Sequence, residues 1–174
     1  RETRTIVCNE SALVMRMLDK AFDAFTDVRL DLRPPELVDE IDALEELIYE
    51  TVNNGVYRCG FATTQEAYDE AVTALFATLD ELDARLATRR YLFGDRITEA
   101  DWRLFTTLAR FDPVYVGHFK TNLRRIADYP NLGPYFRDLY QQPGVAETVR
   151  LDHIKIHYYT THLQLNPSGI IPAG

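Results

Sequence analysis

Between residues 63 and 88 the apolar positions fall at alternating steps of four and three: Tyr68, Val72, Leu75, Leu79, Leu82 and Leu86. That is the period of one face of an α-helix, held for about five turns. Thr63-Thr64-Gln65-Glu66 stands in front of it as a capping box. In such a box a threonine hydroxyl accepts from one orphan amide, and the glutamate reaches back to another. A long helix with one apolar stripe is stable only against other helices. The stripe runs for fewer than three full heptads, which favours a central bundle helix over a coiled coil. A helix over Thr63–Thr88 is therefore predicted, with Leu75, Leu79 and Leu82 in the core.

The rest of the chain reads around that helix. Leu37, Ile41, Leu44 and Ile48 make a second stripe from Glu36 to about Val52, and Asn53-Asn54-Gly55 is expected to stop it. Thr98-Glu99-Ala100-Asp101 caps a third helix, with Ile97 and Trp102 placed as a hydrophobic staple. Pro113 is expected to break that helix, and shorter helices are expected near Leu132–Tyr140 and Val145–Tyr159. At the front, Thr5-Ile6-Val7-Cys8 is a β-favouring run. Asn9 comes next as a candidate N-cap for a helix carrying Leu13, Met17, Leu18, Ala21, Phe22 and Phe25. A strand by itself lacks partners for its backbone groups. Residues 1–25 thus read as the strand-helix end of a sheet-containing unit. Residues 26–35, ending in Pro34-Pro35, read as a linker, and residues 36–174 as an all-α bundle.

Composition removes several classes of function. The 27 acidic residues outnumber 19 basic ones for a formal charge of -8, which argues against nucleic-acid binding and against an anionic membrane surface. No run approaches the length of a membrane span. The polar start, Arg1-Glu2-Thr3-Arg4, does not read as a signal peptide. Cys8 and Cys59 make no disulfide framework and no zinc spacing, so a reducing, cytoplasmic setting is expected.

Phosphate-loop, GxSxG, GxGxxG and HExxH motifs are missing, which leaves four features. Glu10-Ser11 opens a helix, where unpaired amides and the dipole favour a carboxylate. Ser11 can add a hydroxyl and Glu10 can hold an ammonium group, although both residues are also ordinary first-turn chemistry. Tyr57 and the pair Tyr158-Tyr159 can donate to a developing oxyanion and stack on a flat ring. With ten tyrosines in the chain, a core role for any one of them competes with that reading. His153 and His157 are four apart with His162 beyond, but no acidic third ligand shares their face, so a surface pair is favoured over a metal. Cys59 has Arg58 beside it but no helix start, and Cys8 is expected to be buried in a strand, so neither reads as reactive.

Longer runs carry a resemblance. A strand, then Glu-Ser opening a helix, then a linker and a bundle is the order in which glutathione transferases pass from a thioredoxin-like domain to a helical one. Tyr49-Glu50-Thr51-Val52-Asn53-Asn54-Gly55-Val56-Tyr57 and Cys59-Gly60-Phe61-Ala62-Thr63-Thr64-Gln65-Glu66-Ala67-Tyr68 resemble the Xi class, the S-glutathionyl-hydroquinone reductases. So do Arg110-Phe111-Asp112-Pro113-Val114-Tyr115-Val116, Pro143-Gly144-Val145-Ala146-Glu147-Thr148-Val149 and Asn166-Pro167-Ser168-Gly169-Ile170. The resemblance implies a helical domain of that family preceded by the end of a thioredoxin-like domain, and a homodimer. It implies glutathione as co-substrate and a glutathionyl-hydroquinone as substrate, with no metal. Glu10 and Ser11 then hold the γ-glutamyl end of glutathione, and Tyr57 with Tyr158 serves the hydroquinone as the catalytic pair. The family's nucleophile lies in a Cys-Pro-Trp-Ala motif that neither Cys8 nor Cys59 matches, so the thiolate chemistry is expected from outside this sequence. A noncatalytic module binding glutathione conjugates or hydrophobic ligands is the competing reading, and a structural interaction domain a weaker one.

Overall fold

The computed structural model describes residues 5–27 and 30–173, so the polar start at residues 1–4 and part of the expected linker lie outside the described residues. Helix α1 covers Ser11–Ala21, α2 Val38–Ile48, α3 Gly55–Phe61 and α4 Gln65–Leu86. Helix α5 covers Glu99–Arg110, α6 the single turn Val116–His118, α7 Leu132–Tyr140 and α8 Leu151–Thr161. No strand forms among the described residues. The β-favouring run at Thr5–Cys8 is bent, irregular chain, with no second strand among the described residues to build a ladder with it. Cys8 is accordingly half-buried rather than a core residue. No described helix is long and apolar enough to cross a membrane.

Helix α4 is the centre of the bundle, as its stripe predicts: Leu75, Leu79 and Leu82 are fully buried. The cap differs from the expectation. Thr64 is the N-cap, its hydroxyl accepting from the Ala67 amide at 3.2 Å. Alanine therefore stands where the reciprocal glutamate is needed, and only half of the box forms. At the front of α1, Glu10 rather than Asn9 is the N-cap, without a side-chain cap bond.

The capping box of α5 is complete and buried. Asp101 accepts from the Thr98 amide at 2.7 Å, the Thr98 hydroxyl at 2.8 Å, the Leu92 amide at 3.0 Å and the Tyr135 hydroxyl at 2.9 Å. Asp83, on α4, does similar work for α7 by accepting from the Asn131 and Leu132 amides at 2.9 and 2.8 Å. With an acceptor for its first-turn amide supplied from another helix, α7 keeps its expected start, and Pro134 falls in the first turn where its missing N–H costs nothing.

Asn53-Asn54-Gly55 does not stop the second helix. The chain widens through a π turn over Tyr49–Asn53, closed by the Asn54 amide on the Tyr49 carbonyl at 2.9 Å, and runs directly into α3. Gly55 is buried against Leu75 and has ordinary helical backbone. Pro113 likewise sits in a second π turn, Phe111–Tyr115, that continues α5 into α6. Both widened turns border the same cleft, and such turns recur at functional sites.

Candidate functional site

The cleft lies between the start of α1, the first π turn, α3, α5, the second π turn and α8, with a volume of 470 Å³. Ser11, Tyr57 and Tyr158 all face it, so three of the four residues singled out in the sequence converge. Glu10 does not line it and its side chain is exposed. The Asn53 side chain, held by the π turn, donates to the Thr107 hydroxyl at 2.6 Å and ties this wall to α5.

The chemistry of the cleft is a chain of three phenols. The Tyr57 and Tyr158 hydroxyls are 2.5 Å apart, and the Tyr115 and Tyr158 hydroxyls 2.9 Å. Tyr115 and Tyr158 are buried, whereas Tyr57 is 38% exposed. Either oxygen of each pair can donate by distance alone, but burial decides the order. If Tyr57 donated inward, the last proton of the chain would lie on Tyr115 in the core without an acceptor, a cost of about 1–3 kcal/mol. The favoured order is Tyr115 donating to Tyr158, Tyr158 to Tyr57, and the Tyr57 proton turned to the cleft. Burial pushes the Tyr158 phenol up to about 12 and Tyr115 far above the ordinary phenol value, so both stay protonated at neutral pH.

Tyr115 is the residue that sequence reasoning missed. It lies in the Arg110–Val116 run, but its neighbours Val114 and Val116 disguise it as a core aromatic. Tyr159, the other half of the tyrosine pair, faces away and packs its ring 4.7 Å from His118. Beneath the phenols, Phe119 stacks parallel on Tyr115 at 5.3 Å. Gly60 makes room for it: a Cβ there would stand 2.2 Å from the Phe119 ring.

Two arginines line the cleft in different states. Arg103 donates to the buried Glu45 carboxylate at 2.5 Å, and Arg16 from α1 reaches the same carboxylate at 3.2 Å. Arg110, half-buried, gives one N–H to the Thr106 carbonyl at 2.5 Å. The cysteines are outside this chemistry: Cys59 is buried and its thiol is pushed up to about 11 by desolvation. His153 and His157 lie on the surface, and no cluster of three metal-ligating side chains occurs among the described residues.

A helical bundle with a buried Thr98–Asp101 box and a cleft beside the start of α1 defines a class, the glutathione S-transferase C-terminal domain, whose family pattern matches residues 65–138. The chain resembles solved structures that include Xi-class glutathione transferases. It is 55% identical over 174 residues to the glutathionyl-hydroquinone reductase YqjG of Escherichia coli (strain K12), covering all of this chain and 53% of that protein. It is 54% identical to the glutathionyl-hydroquinone reductase PcpF of Sphingobium chlorophenolicum, over 98% of this chain and 55% of that one. The glutathione-bound structure of YqjG superposes with a TM-score of 0.96 over 99% of this chain and 56% of its own. A Xi-class transferase from Natrialba magadii gives 0.96 at 55% identity, over 99% of this chain and 53% of its own. The chain thus spans about half the length of the relatives it matches.

Proposed function

We propose that this chain supplies the aromatic-substrate half of an enzyme that reduces S-glutathionyl-hydroquinones with glutathione. The observation that carries the reading is the phenol chain ending at the Tyr57 proton in an open cleft; the kinship with two glutathionyl-hydroquinone reductases supports it. In this reading residues 1–25 belong to a thioredoxin-like unit, 26–35 to a linker and 36–174 to the helical domain. A cysteine thiolate outside this sequence attacks the sulfur of the substrate's C–S bond. A new S–S bond forms, the C–S bond breaks, and its electron pair and a proton go to the ring carbon. A second glutathione thiolate then attacks the mixed disulfide and leaves with the first as glutathione disulfide.

The phenols act on the ring oxygen. With the ring in its keto form, the bond-breaking carbon lies next to a carbonyl and the leaving group is an enolate. Tyr57 donates to that oxygen, and Tyr158 and Tyr115 behind it stabilise charge that builds on Tyr57. Ser11, at the start of α1, offers a hydroxyl and helix amides to the γ-glutamyl carboxylate. Glu10 serves the ammonium group only after turning toward the cleft.

Steady-state reduction of a glutathionyl-hydroquinone by the thiolate-bearing enzyme, with both substrates varied, tests this. Tyr57→Phe and Tyr158→Phe are expected to lower turnover by about 100-fold with little change in the glutathione requirement. Ser11→Ala is expected to raise the glutathione KM instead. Full turnover in both tyrosine variants would make these phenols ordinary bundle residues. Absence of turnover with retained glutathione-conjugate binding would favour a noncatalytic binding module.

A further inference from the structure

We propose that Arg110 makes this cleft selective for aromatic ligands bearing an anionic ring substituent, a carboxylate above all; the inference rests on the reading of the cleft as a hydroquinone site. The two cleft arginines are not equivalent. Arg103 is neutralised by Glu45, whose side chain is only 4% exposed. Arg110 has no carboxylate within ion-pair distance among the described residues, and its one hydrogen bond to protein goes to the Thr106 carbonyl. Arg16, Arg33, Arg58, Arg90, Arg96, Arg124, Arg125 and Arg150 all meet carboxylates elsewhere in the chain. Arg85, Arg89 and Arg137 also meet no carboxylate among the described residues, but none of them lines this cleft, where Arg110 keeps most of its N–H donors unspent.

Position separates this role from catalysis. Arg110 closes α5, one turn beyond exposed Thr106, and makes no hydrogen bond to the phenol chain. It lines the same cleft as Tyr158, and its charge favours that phenol's ionised form. A ring whose oxygen sits at Tyr57 shares the cleft with the Arg110 guanidinium. A planar guanidinium takes a carboxylate through two parallel N–H bonds, and one spent N–H leaves that capacity intact. The overall charge disfavours anions, so a preference for a charged ring needs a local source of positive charge, which the Arg110 guanidinium supplies.

Calorimetric titration of the chain with 1,4-dihydroxybenzene, 2,5-dihydroxybenzoate and S-methylglutathione tests the idea. The benzoate is expected to bind about tenfold more tightly than the uncharged ring, with that advantage shrinking as salt is added. Arg110→Gln, which can still donate to Thr106, is expected to abolish the advantage and leave the uncharged ring unaffected. Equal binding of the two rings to the parent chain overturns the inference while leaving the hydroquinone reading in place. Binding of neither ring overturns the hydroquinone reading itself. A loss confined to S-methylglutathione in Arg110→Gln also overturns it, by assigning the guanidinium to a peptide carboxylate. Salt-independent binding of the benzoate by the parent chain also overturns the inference, whether or not the variant folds.

Discussion

Gly60 looks like a helix-weakening residue in α3, yet the aromatic floor of the cleft depends on its having no side chain. An added Cβ would stand 2.2 and 2.4 Å from two Phe119 ring atoms and 2.9 Å from its Cβ, so the whole of Phe119 must move. Phe119 carries Tyr115 on its face and lies 5.3 Å from the Tyr57 ring, so the displacement passes to the phenols. Gly60→Ala gains helix propensity of about 1 kcal/mol. It should still destabilise the chain by about 1–3 kcal/mol through overpacking, read as a lower urea midpoint. It should also perturb tyrosine fluorescence, whereas Gly94→Ala, in open space but at positive φ, should cost stability without that spectral change.

Among the elements, the start of α5 has the most to lose. Thr98→Ala removes an ordinary cap and should cost about 1 kcal/mol. Asp101→Ala should cost about 3 kcal/mol or more, because four donors in the core lose one acceptor together. Equal losses in chemical denaturation would reduce the box to a local cap. That box was legible in the sequence because it is built from residues three apart, and so was α4, whose period needs no partner to be read. The two π turns were not: Asn-Asn-Gly and proline are helix-stopping residues by local rules. At the first of them Asn53 is tied to Thr107 on α5, a tertiary contact about which spacing says nothing. Tyr57 and the pair Tyr158-Tyr159 stood out in the sequence as phenols able to face a ring, and the family resemblance chose Tyr158 from the pair. Tyr115 was hidden because its role depends on an oxygen 43 positions away.

At the scale of the whole molecule, stability should depend on pH through a histidine pair, His118 buried and His162 half-buried. His118 Nε2 and His162 Nδ1 are 3.3 Å apart, joining the end of α6 to the residue after α8. One proton can bridge them; two would face each other. Burial first, then each ring's cationic neighbours, hold both below the ordinary value of 6.5. As pH falls through 6.5 the unfolded chain takes up protons first, so stability present above that value is lost below it. Urea midpoints between about pH 8 and about pH 5 should fall accordingly, and His162→Gln should flatten the change. Helix α1 adds a different sensitivity. It buries none of its residues, and Arg16 holds it through Glu99, Glu45 and Asp42. Amide exchange in α1 should therefore quicken in molar salt while α4 stays protected. Meanwhile Leu13, Met17, Leu18, Phe22 and Phe25 are turned to water along that same segment. For anyone handling the isolated chain, colloidal behaviour will then be set by those few side chains rather than by the well-packed bundle. Elution volume should drift with loading concentration, and an apolar dye should light up on natively folded material.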